Sequence, residues 1–74
     1  MSREALKHLP SIDRLLGADA WGEVPQVPHA VRKDSCRAVV DRVRAAILGG
    51  GGDVDVPAMV ADAVRIATQT VRPV

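Results

Sequence analysis

The sequence contains no phenylalanine and no tyrosine, and one tryptophan, Trp21. Its core must therefore be built from valine, alanine, leucine and isoleucine. Its surface lacks the aromatic platforms on which single-stranded nucleic acids stack their bases. The single cysteine, Cys36, excludes a disulfide framework. Cys36, His8 and His29 show no metal-ligand spacing, so no metal site is expected. No apolar run reaches the roughly 18 residues of a membrane-spanning helix, and no membrane partner is expected. The opening Met1-Ser2-Arg3-Glu4 lacks the apolar stretch of a secretory signal. A cytoplasmic location with Cys36 reduced is the expectation. Seventy-four residues are too few for a two-domain enzyme, so residues 1–74 are read as one domain.

Catalytic groups are also missing. Ser35 beside Cys36, with His8 and His29 far along the chain, defines no nucleophile–base pair. The two lysines, Lys7 and Lys33, sit in no pocket-forming pattern. No residue of this chain is assigned to catalysis, to a cofactor or to a metal. Cys36 is read as a small buried hydrophobe.

What is present is helical periodicity broken by proline and glycine. Glu4-Ala5-Leu6-Lys7, within Ser2 to Leu9, can form a helical turn before Pro10. Ser11 caps a short helix to Leu16, with Asp13 in its first turn and Gly17 at C′. Ile12, Leu15 and Leu16 share one face. Ala18 to Trp21 suits one more turn, with Trp21 as a satellite of the core. Gly22, Pro25 and Pro28 then interrupt. Pro28 suits the first turn of a long helix to Leu48. At about 100° per residue, Cys36, Val39, Val40, Val43 and Ile47 form its apolar stripe. Ala38 and Ala45 lie opposite, with Val31 close by.

Gly49 to Gly52 end that helix. A phosphate-cradling loop is the alternative there, but no strand precedes the glycines and no Lys-Ser/Thr follows. Asp55 can cap a last helix, with Pro57 in its first turn, running to about Thr70. Val56, Val60, Val64, Ala67 and Val71 line it, with Met59, Ala63 and Ile66 alongside. The alternation Asp53-Val54-Asp55-Val56 is too short to make a strand. The fold class is all-α: a small bundle of two longer antiparallel helices, with one or two short N-terminal helices packed across them.

Ten Lys/Arg against nine Asp/Glu leave a formal charge of +1, but the distribution is uneven. Residues 32–44 hold five basic and two acidic residues. With Cys36 at zero, Lys33, Arg37 and Arg44 fall at about 60°, 100° and 80° around the helix. They make one row about 16 Å long, suited to nucleic-acid phosphates. Arg32 borders the core face and Arg42 points elsewhere. The plainer alternative is a solvated helix face with internal pairs, such as Asp41 with Arg37 or Arg44.

Leu9-Pro10-Ser11-Ile12-Asp13-Arg14-Leu15-Leu16 resembles the opening of bacterial selenocysteine synthase, L-seryl-tRNA(Sec) selenium transferase. Val39 to Ile47 is similar to the end of the long helix that follows in that family. Thr70-Val71-Arg72-Pro73-Val74 is similar to the run just before the family's pyridoxal-phosphate core. The resemblance implies an N-terminal domain that binds selenocysteine tRNA around its D-arm. It implies a pyridoxal-phosphate core after residue 74, and a full-length homo-oligomer that converts seryl-tRNA(Sec) to selenocysteinyl-tRNA(Sec) with selenophosphate. That core is this domain's other expected partner, and the cofactor lysine belongs to it. The candidate RNA contacts are Lys33, Arg37 and Arg44, then Arg14 and Arg32. The alternative is a helical interaction or oligomerisation module that binds no RNA. Leu9, Ile12, Leu15 and Leu16 are expected in the core, with Leu16→Ala costing about 2–5 kcal/mol.

Overall fold

The computed structural model describes residues 9–51 and 53–71 of the chain. Among them are three α-helices, α1 (Ile12–Leu16), α2 (His29–Leu48) and α3 (Val56–Thr70), a 3-10 helix (Asp19–Glu23), and no strand. The turn expected in Ser2 to Leu9 lies outside the described residues, Leu9 apart.

Two of the three α-helices start at a side-chain cap. The Arg14 amide donates to Ser11 Oγ at 3.1 Å, opening α1. Asp55 caps α3 in the same way, its carboxylate accepting from the Ala58 amide at 3.2 Å, with Pro57 in the first turn. Pro28 is the N-cap of α2 with φ −61° and ψ 150°, one position earlier than the first-turn place expected of it. Its carbonyl still accepts the first helical bond, from the Arg32 amide at 3.1 Å. Gly17 is likewise one place earlier than C′: it closes α1 with φ −80° and makes no use of glycine's left-handed range.

The end of α2 does need a glycine. Gly50 sits at φ +86°, the Gly50 amide donates to Ile47 and the Gly51 amide to Ala46, both at 3.0 Å. That pair of bonds around a left-handed residue is the Schellman arrangement, which satisfies carbonyls the helix would otherwise leave open.

α2 and α3 pack along each other, and α1 rests on both. Arg42 meets Asp62, while Val31 and Ser35 line one cleft with Ile66 and Thr70. Ascending positions on one helix thus face descending positions on the other, and the pair is antiparallel. Cys36 and Val39 are fully buried, and Val40 nearly so. Val43 and Ile47, expected in the same stripe, are half-buried, and Ala38 and Ala45 face water. Ser35 is 3 % exposed, a burial the stripe did not predict, because α3 lies toward the Val31 and Ser35 side of α2.

On α3 the broad stripe expected divides by burial. Met59, Ala63 and Ala67 are buried, whereas Val56, Val60, Val64 and Val71 are half-buried at the margins, as is Ile66. Alanine at the contact line lets the helices approach closely, and the wider valines fill the flanks. Trp21, expected beside the core, is part of it at 2 % exposure. Its Nε1–H donates to the Leu15 carbonyl at 2.9 Å.

Two outcomes follow from this packing. Leu15 is fully buried and Leu16 half-buried. Leu15→Ala is expected to cost about 2–5 kcal/mol in denaturant titrations, and Leu16→Ala less. Equal costs would mean that α1 docks differently. Burial raises the Cys36 thiol pKa. The folded chain then keeps a proton that the unfolded chain releases, so stability falls as pH rises above about 8.5. Cys36→Ala should remove that part of the slope in denaturation series from pH 7 to 10.

Candidate nucleic-acid interface

α2 is the rigid element that carries most of the candidate residues. Its twenty residues run unbroken from His29 to Leu48. Lys33, Arg37 and Arg44 are all exposed on it. Their spacing puts them on one side within about 40° of arc and about 16 Å of length. None of the three makes a salt bridge with a described residue, since the ion pairs there are Arg42–Asp62 and Arg65–Asp62. Asp34 and Asp41 are exposed near the row, and neither is paired in it. The internal pairing of Asp41 with Arg37 or Arg44 is not formed.

Arg42 turns away from the row and reaches α3, 3.5 Å from Asp62, which also holds Arg65 at 3.0 Å. All three side chains are well exposed, so this network contributes at most about 1 kcal/mol. Arg14 lies exposed in the last turn of α1, away from the helix that carries the row.

Arg32 has a different place. Its Nε–H donates to the Val27 carbonyl at 3.0 Å, and Nη2 lies 3.4 Å from the Val24 carbonyl and 3.5 Å from that of Pro25. Its guanidinium carbon sits 5.6 Å from the centre of the Trp21 ring. A planar, five-donor group suits this work, fastening a proline-broken loop to the first turns of α2 while covering the indole face. The sequence held the ingredients of this clamp: a lone tryptophan, a loop with carbonyls to satisfy, and an arginine four residues after Pro28. Their meeting depended on how the loop folds back, which no spacing shows. Four of the five candidates, Lys33, Arg37, Arg44 and Arg14, thus stand in solvent, and the fifth is engaged within the domain.

No group of three or more His, Cys, Asp or Glu among the described residues is placed to hold a metal ion. No described helix is long and apolar enough to cross a membrane.

Compared with protein-family models, residues 6–44 match the one described as Selenocysteine synthase N terminal, a span of just over half of the chain. It takes in α1, the 3-10 helix and α2 as far as Arg44. A search of the curated proteins and a search of the solved structures each found no match.

The clamp separates Arg32 from its basic neighbours in a measurable way. Arg32→Lys keeps the charge and loses the fork, so it should cost about 1–2 kcal/mol and alter Trp21 fluorescence. Arg37→Lys should leave stability within about 0.5 kcal/mol and the emission unchanged. Identical behaviour of the two variants would remove the clamp.

Proposed function

The chain belongs to the selenocysteine synthase N-terminal family, and from that premise we propose that it binds selenocysteine tRNA through the exposed cationic row on α2. Membership ties the chain to selenocysteine synthesis. The row is the observation that carries the RNA reading: Lys33, Arg37 and Arg44 stand exposed on one side of a rigid helix with no ion pair to a described residue. Such a row matches a phosphate backbone. With Trp21 buried, the described residues hold no exposed Phe, Tyr or Trp ring for base stacking. A structured RNA, bound by shape and backbone, is the ligand this surface suits. Arg14 is a further contact in this reading, and Arg32 acts by holding the loop.

The D-arm region of the tRNA is the proposed point of contact. The proposed reaction of the full-length enzyme, a cytoplasmic homo-oligomer, converts seryl-tRNA(Sec) to selenocysteinyl-tRNA(Sec) with selenophosphate. Pyridoxal phosphate, carried by the core, supplies the electron sink for that exchange. The one lysine among the described residues, Lys33, is exposed on α2, which does not suit a cofactor lysine. What this domain's own residues do is bind and orient. Remote contacts to the tRNA body hold the aminoacyl end where the chemistry occurs.

An oligomerisation module is the competing reading, and it asks for an apolar surface. The one exposed large hydrophobic among the described residues is Leu48, far short of an interface patch.

The test is a titration of tRNA(Sec) against the chain and its Arg37→Ala and Arg44→Ala variants at several salt concentrations. Each variant should bind more weakly, with the slope of log K against log salt reduced by about 1 and the melting curve unchanged. Wild-type affinity and slope in both variants would end the assignment.

A further inference from the structure

A second feature of the domain lies on the other flank of α2 and does not depend on RNA binding. Val31, Asp34 and Ser35 of α2 and Ile66 and Thr70 of α3 line an open cleft of about 130 Å³. Its α2 residues are centred about 130° around the helix from the cationic row, at about 100° per residue. The volume equals about four water molecules at ~30 Å³ each, and is well below the roughly 300 Å³ at which small-molecule sites begin. A cleft of this size suits a single side chain.

Its chemistry is one-sided. Ser35 is 97 % buried and lines the cleft. The Thr70 hydroxyl donates to the Ile66 carbonyl at 2.8 Å, which leaves its oxygen free to accept. Asp34 stands exposed at the rim and forms no ion pair with a described residue. Asp34, Ser35 and Thr70 are thus the polar residues of the lining, and Val31 and Ile66 its apolar ones. The complementary guest is flat, rich in donors and positively charged, on an apolar stem.

We propose that the α2–α3 cleft is a docking pocket for an arginine side chain presented by a protein partner, with the guanidinium on Asp34 and Ser35 and its stem between Val31 and Ile66. A pocket this small gives a free guanidinium compound only millimolar affinity, so useful occupancy requires a guest carried on a larger protein surface.

The experiment is amide-resolved NMR of the full chain titrated with N-acetyl-arginine amide and, separately, with neutral N-acetyl-citrulline amide. The arginine compound should saturate shifts at Val31, Asp34, Ser35, Ile66 and Thr70. The citrulline compound should bind at least about tenfold more weakly, the charge-assisted contact being lost. Asp34→Asn, an exposed change that leaves the fold intact, should weaken arginine binding by a similar factor. Equal binding of the two compounds, shifts that instead follow the distant carboxylates Asp19 and Asp53, or an Asp34→Asn variant that binds like wild type would each overturn the proposal.

Discussion

Trp21 is the one large ring this chain possesses, and burying it obliges the indole N–H to find an acceptor away from water. The Leu15 carbonyl provides it at 2.9 Å. That carbonyl also accepts from the Ala18 amide at 3.2 Å, so the indole takes its second lone pair. The same ring is covered by Arg32, whose remaining donors fix the carbonyls of the loop before α2. Three pieces that sequence order keeps apart are thereby fastened at one point: the short helix, the proline-broken loop and the first turns of the long helix. That point adds to the packing of Leu15 and Val27, which are themselves buried in the core.

The long helix carries different duties on different sides. One side meets α1 and α3 through Cys36, Val39 and Val40. A second displays Lys33, Arg37 and Arg44. A third, with Ser35 and Val31, closes against α3 and leaves the acceptor-lined cleft. Valine is a costly helix former, but its compact shape suits a seam where the opposing helix offers alanine. A leucine-lined seam would hold α3 further off and change the cleft with it.

Much of the fold was legible in the sequence. Caps at Ser11 and Asp55, the proline in the first turn of α3 and the glycine stop after Leu48 follow from local chemistry, and local chemistry is what a sequence displays. The burial of Ser35, the division of the stripe on α3 and the placing of Trp21 inside the core were not legible. Each depends on the rotation of one helix against another, and periodicity gives a face no direction toward a particular neighbour. The candidate interface divides in the same way. The row on α2 is a matter of spacing within one helix and was readable. The engagement of Arg32 joins residues five to eleven positions apart through a loop whose path is set by the ring it covers.

Lys33 and Arg37 are four residues apart on one helical side, where two like charges repel each other across a single turn. Such a neighbour pair costs an isolated helix about 0.2–0.5 kcal/mol. α2 tolerates that self-repulsion because its other sides are anchored by packing. A polyanion laid along the row relieves the strain, and so, more weakly, does dissolved salt. Ionic strength alone therefore shifts how firmly this stretch of backbone is wound.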